Sequence, residues 1–300
     1  MQLIQKVIFL GFLLVGVVSC SDGNQQPDPD FIPKNTKTTF SQLNSPIVLI
    51  DEAHHNLHSI NGRFKPFTQV LESDGYIVKP NRKKFTLENL KQADILVVVN
   101  ALDSNRRDYN PPYGDAFEDD EVEAVKQWIT QGGSLFLVAD HAPFPKVIEK
   151  LSSAFGFEFS NGHVGDAIFN SDNNGVMSHA ITKTTTHSNR IAQVKTFGGS
   201  AFKIPETAKP LLVLDKDTIS LVPEIPFKIN AKTPRVSVDG WNQGSVMEFG
   251  AGRIAVFSEA MMFTSQLIVS SNEKRGLVSV GAEQNERFLL NVMHWLSKLI

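Results

Sequence analysis

Cysteine is nearly absent: the 300-residue chain contains one, Cys20. An intramolecular disulfide is therefore excluded, and the folded domain must rest on its core alone. Basic charge is also sparse. Lys and Arg number 29 against 32 Asp and Glu, for a net charge of -3, and no block of five basic residues occurs. Nucleic acid thus has no electrostatic footprint here. Several catalytic signatures are missing as well. There is no Gly-x-Ser-x-Gly nucleophile elbow, since Gly132-Gly133-Ser134 and Gly198-Gly199-Ser200 both lack the closing glycine. Neither a phosphate-cradling P-loop, nor Gly-x-Gly-x-x-Gly, nor His-Glu-x-x-His is present. No internal repeat occurs. The apolar run over residues 7–18 falls short of the roughly 20 residues that span a bilayer.

That short run does fit the apolar segment of a signal peptide, roughly 7–15 residues long and preceded here by Lys6. It ends in Val17-Val18-Ser19-Cys20, which resembles the lipobox of bacterial lipoproteins, where the cysteine is lipidated and the chain is cut just before it. The expectation is a signal peptide over residues 1–19, lipidation at Cys20, and a cell-envelope protein anchored to a membrane and facing the periplasm or cell exterior. A lipidated Cys20 leaves no free thiol, so cysteine nucleophiles and thiolate metal sites are excluded too. Residues 20–44 are polar and proline-containing, the composition of a flexible tether. One α/β domain is expected over residues 45–300.

Within that domain, Ile47-Val48-Leu49-Ile50, Ile95-Leu96-Val97-Val98-Val99 and Leu135-Phe136-Leu137-Val138 are continuous apolar runs. Such runs suit strands buried on both faces of a parallel sheet. A shorter strand is expected over residues 76–78. Helical spacing predicts helices over residues 64–73, 86–92, 119–131, 144–155 and 285–299, with Gly132-Gly133 stopping the third. Strand and helix alternate, which argues for a doubly wound, mostly parallel sheet. From about residue 157 to 240 the rhythm breaks into an elaborated region with β segments, one of them over residues 211–214. Residues 245–249 and 253–257 then read as an antiparallel hairpin about Gly250-Ala251-Gly252.

Ligands of open parallel sheets bind beyond the carboxyl ends of the strands. The polar residues that follow the apolar runs are Asp51-Glu52-Ala53-His54-His55-Asn56-Leu57-His58, then Asn100, then Asp140-His141, then Ser258-Glu259. The candidate catalytic residues are Asp51, Glu52, His58, Asp140, His141 and Glu259. The candidate ligands for a divalent metal, zinc or similar, are His54, His58, Asp140 and His141. A helical 54–58 segment would put His54 and His58 on one face. The same residues also suit a general acid/base set without metal, or plain capping of strand ends and helix starts. The pattern leaves all three open. His163, His179, His187 and His294 read as structural, with His179 the one best able to reach the rim.

These segments also resemble a family. Val48-Leu49-Ile50-Asp51-Glu52-Ala53-His54, Asp74-Gly75-Tyr76 and Asp94-Ile95-Leu96-Val97 carry the likeness. So do Gly132-Gly133-Ser134-Leu135, Ala139-Asp140-His141-Ala142-Pro143-Phe144-Pro145, Ser258-Glu259-Ala260-Met261-Met262-Phe263 and Asn291-Val292-Met293-His294-Trp295-Leu296. They are similar to an uncharacterised bacterial lipoprotein family of the class I glutamine amidotransferase-like superfamily, near its gliding-motility and intraflagellar-transport domains. The resemblance implies a flavodoxin-like sandwich, and it brings no activity with it. Amidotransferases use a cysteine at a strand-to-helix elbow, where this chain has Asp140-His141. Asp51, Glu52, His54, His58, Arg63, Asp140, His141 and Glu259 match the family pattern; His55 does not. Two functions are expected: a hydrolase, metal-dependent or not, acting on an envelope or imported small molecule such as a saccharide, or a non-catalytic ligand-binding or scaffold module.

Overall fold

The computed structural model describes residues 24–41, 43–106, 108–183 and 190–300. Cys20 and His187 lie outside the described residues. Five strands form the parallel part of the main sheet: Ile47–Asp51, Ile77–Asn81, Ile95–Val99, Ser134–Val138 and Gly252–Phe257. Numbered by chain position, they lie side by side in the order 2-1-3-4-5, and each neighbouring pair is parallel. The three continuous apolar runs thus occupy inner strands, as their two-sided hydrophobicity requires.

Side chains alternate between two cores. Val48, Ile50, Val97, Phe136 and Phe257 face the layer that holds the Lys65–Ser73 and Asn285–Leu296 helices. Leu49, Leu96, Val98, Leu137 and Val256 face the layer that holds the Asp119–Thr130 helix. Helices therefore cover both faces of a mixed sheet. The Asn242–Phe249 strand pairs antiparallel with Gly252–Phe257, the expected hairpin. Beyond it, Lys209–Val213, Phe202–Lys203 and Glu158–Phe159 extend the sheet antiparallel. The elaborated region adds two small antiparallel pairs, Asp166–Asn170 with Gln193–Phe197 and Ile219–Leu221 with Arg235–Ser237.

Three expectations need correction. Residues 24–41 are not a free tether but a strap laid along the domain. Gln25–Pro27 pairs with Ser265–Ile268, Phe31 is buried, and Glu286 accepts the backbone N–H groups of Lys34 and Asn35. The apolar Phe31 and the buried Asp28 tie this polar segment down despite its prolines. The 144–155 stretch is two short helices, Phe144–Val147 and Glu149–Ser153, broken at Ile148, whose φ of -96° and ψ of 3° leave the helical region. Residues 54–58 form no helix, because His55 adopts a left-handed φ of 55°. Among the described residues no helix is long and apolar enough to cross a membrane.

Candidate functional site

The parallel ladder between Ser134–Val138 and Gly252–Phe257 ends at the pair Val138–Phe257. Two residues further along each strand stand Asp140 and Glu259. Equal offsets from one ladder pair bring the two carboxyl groups to the same lip. Asn100, one residue beyond the adjacent Ile95–Val99 strand, joins them there. It is fully buried and holds φ at 50°, a conformation that asparagine tolerates better than most residues. Its Nδ2 donates to Asp140 Oδ2 at 2.7 Å, and its Oδ1 accepts the Asp140 backbone N–H at 2.9 Å. The second carboxylate oxygen, Asp140 Oδ1, is buried without a partner among the described residues.

Glu259 is 2% exposed. Its oxygens accept the backbone N–H groups of Met261 at 2.6 Å and Met262 at 2.9 Å. Burial pushes its carboxyl up to about 8, and the neighbouring Asp140 adds to the rise against those backbone donors. Burial likewise raises Asp140, while His141, Asn100, the Ala260 backbone N–H and Arg63 oppose the rise. Two carboxyl groups side by side in a desolvated site resist ionising together.

Around this pair lies a cleft of about 490 Å³, whose walls include His58, Arg63, His141, His163 and Phe227. His58 is held well below its ordinary value by burial, then by the nearby Arg63 and His141 charges, so it is neutral at physiological pH. Its Nδ1 stands 3.5 Å from Asn100 Nδ2. His141 Nδ1 donates to the Ala142 carbonyl at 2.8 Å. The His141 ring stacks on His163 at 4.6 Å, and both contact Phe227. Burial, with a smaller contribution from His141, pushes His163 down to about 3. Its Nε2 is buried without a partner among the described residues.

Gly198 and Gly199 form part of the floor. Gly199 sits at φ 89°, and a methyl group there would run into the Ser258 carbonyl and lie 2.9 Å from the Glu259 Cβ. This close backbone approach explains glycine at a position that lacks the spacing of a nucleophile elbow.

The structure separates the other expected residues from this cleft. His54 is clamped between two carboxylates, with Nδ1 at 2.9 Å from Asp51 and Nε2 at 3.0 Å from Glu121. Phe85 and Phe117 flank its ring at 4.7 Å each. Burial works against protonation, but Asp51 and Glu121 outweigh it and raise His54 above its ordinary value. Glu52 accepts the Ile60 N–H at 3.0 Å and pairs with Arg82 at 3.1 Å. Asp51, Glu52 and His54 therefore brace the loop after the first strand. The expected metal set of His54, His58, Asp140 and His141 does not assemble, because both His54 nitrogens are committed. No group of three His, Cys, Asp or Glu side chains among the described residues is arranged to hold a metal ion.

His179 does not reach the rim either. It lines a separate cavity with Trp295 and Met247, and its ring meets Trp295 edge-on at 5.7 Å. His294 is structural as expected, bonded to Asp74 at 2.6 Å. His163 reads as structural in the sequence and proves to be a cleft residue. It sits in Asn161-Gly162-His163-Val164-Gly165, where no strand end or helical period marks it. A bridge between His163 and Leu221, formed across the elaborated region, brings it in.

No family model matches the chain, and no curated protein matches it. Solved structures do. The N-terminal domain of mmIFT52 superposes with a TM-score of 0.58 at 14% identity, over 83% of this chain and 97% of that one. Cytoplasmic protein STM3548 from Salmonella typhimurium gives 0.49 at 10% identity, over 84% and 98%. A ThuA-like protein from Bacteroides uniformis gives 0.44 at 12%, over 90% and 95%. At these identities the likeness concerns fold alone, and the chain shares the α/β fold of the mmIFT52 N-terminal domain.

Proposed function

We propose that this chain is a lipid-anchored protein of the cell envelope whose domain hydrolyses a small polar molecule such as a saccharide. The strand order 2-1-3-4-5 is that of flavodoxin-like sheets, and it supports the amidotransferase-like reading, with Asp140-His141 at the elbow in place of cysteine. The observation that carries the hydrolytic reading is the buried pair of Asp140 and Glu259 on adjacent strand ends. Glu259, whose carboxyl is pushed up to about 8, supplies an acid at neutral pH, and Asp140 beside it is the base. Asp140 takes a proton from water as the water oxygen bonds to the electrophilic carbon. Glu259 gives its proton to the departing oxygen. Neutral His58 and the fixed Asn100 amide hold the site around them, and the Phe227 ring offers an apolar face to a sugar ring.

Chromogenic glycosides and esters assayed on the purified chain test this. Turnover that falls roughly 100- to 10,000-fold in both Asp140→Asn and Glu259→Gln supports acid/base work; turnover unchanged in both overturns it. One observation favours the binding-module alternative: both Glu259 oxygens are engaged by the Met261–Phe263 turn. Ligand binding without turnover across the panel would decide for that alternative. For the anchor, Cys20→Ser should abolish incorporation of labelled palmitate and release the protein from membranes. A variant still lipidated and still membrane-bound would overturn the lipoprotein reading.

A further inference from the structure

Arg63 precedes the Lys65–Ser73 helix and lines the cleft while only 8% exposed. Its backbone is fixed, since its carbonyl accepts the Thr264 hydroxyl at 2.7 Å. Its guanidinium makes no ion pair and no hydrogen bond among the described residues. The guanidinium opens onto the cleft rather than being sealed in the core. It shares the cleft with Asp140 and His58, and its charge lowers both groups. Two polar atoms facing the same cleft are buried and unpartnered among the described residues, the acceptor Asp140 Oδ1 and the ring nitrogen His163 Nε2.

A forked donor, an acceptor and an imidazole nitrogen left open in one cavity define a complementary ligand. Its oxyanion accepts from the Arg63 fork, which matches carboxylate and phosphate geometry. Its hydroxyl donates to Asp140 Oδ1. We propose that Arg63 is the anion-holding residue of this cleft, and that the ligand is a small polyhydroxylated acid bearing a carboxylate or a phosphate. This inference deepens the hydrolase reading and rests on the same cleft, but binding tests it separately from turnover.

The experiment is calorimetric titration of the full chain carrying Glu259→Gln, so that turnover plays no part, with D-glucuronate, D-glucose 6-phosphate and D-glucose. At least one acid should bind about tenfold or more tightly than glucose, with affinity falling as salt is raised. Preference for glucuronate identifies a carboxylate ligand, and preference for the sugar phosphate a phosphate ligand. Adding Arg63→Lys, which keeps the charge but loses the fork, should weaken the preferred acid about tenfold. Arg63→Met should erase the preference. Equal binding of glucose and the acids, no binding of either acid at high millimolar concentration, or a preference that survives in a folded Arg63→Met protein would each overturn the proposal. If Arg63→Met fails to fold, the Arg63→Lys comparison decides. An anion preference without hydrolysis by the native chain would leave this inference standing and remove the hydrolase reading.

Discussion

Asn100 and Asp140 exchange two hydrogen bonds, one from amide to carboxylate at 2.7 Å and one from backbone N–H to amide oxygen at 2.9 Å. The pair ties the ends of two adjacent parallel strands together and fixes the rotation of a carboxylate that lines the cleft. Asn100→Ala removes both bonds and places alanine at φ 50°. It should destabilise the protein by roughly 2–4 kcal/mol in urea denaturation. Asn100→Gly relieves the backbone strain while still losing the amide. It should recover part of that stability and none of the activity. Equal stability of the two variants would contradict this account.

Glu259 gives a pH signature. Its folded value of about 8 lies above its ordinary 4.5. Between these values the native state holds a proton that the unfolded chain has released, so stability falls as pH rises from about 4.5 to 8. Glu259→Gln stays neutral throughout and removes this slope. Its melting temperature relative to the native chain should therefore climb between about pH 5 and pH 9. A difference independent of pH would show that Glu259 is ionised by its backbone donors.

The His54 clamp predicts the pH behaviour of a different variant. His54 is raised above 6.5, so the stability it adds is fully present below 6.5 and is lost as pH passes the raised value. His54→Gln leaves Asp51 and Glu121 buried without their cation, which costs about 3–5 kcal/mol at about pH 6. The cost should shrink at about pH 9. Because the residue lies outside the cleft, ligand affinity of the folded variant should change little. A large loss of affinity at full stability would move His54 into the site.

Gly199→Ala meets the Ser258 carbonyl and the Glu259 side chain at a positive φ. A loss of roughly 2–5 kcal/mol is expected, together with loss of function. Gly165→Ala, with nothing within 4 Å of the added methyl group, is the control and should be nearly neutral. Comparable melting temperatures for the two variants would show that the Gly199 loop gives way easily.

The readable part of the fold is the part whose cause is local. The run Ile95-Leu96-Val97-Val98-Val99 matches the Ile95–Val99 strand residue for residue, because a strand buried on both faces tolerates no polar position. Gly132 ends the third helix with a φ of 117°, as its place after the periodic segment implies. The strap at residues 24–41 is not readable, since Gln25–Pro27 gains its hydrogen-bond partners from Ser265–Ile268, near the other end of the chain. Glu121 is hidden for the same reason. It belongs to the Asp119–Thr130 helix, and its burial against His54 and the Phe85 N–H depends on residues far away in the chain.

From the sequence alone followed the alternating strands and helices, the exclusion of an intramolecular disulfide, and the strand-end segments that carry polar groups. Those properties depend on composition or on neighbours within a few positions. Which of the polar groups meet was decided by tertiary structure, through sheet register and loop path. Register aligned Asp140 with Glu259, a left-handed turn at His55 sent His54 and His58 apart, and the elaborated region delivered His163. Spacing along a chain constrains a residue's own element, but convergence depends on how distant elements pack.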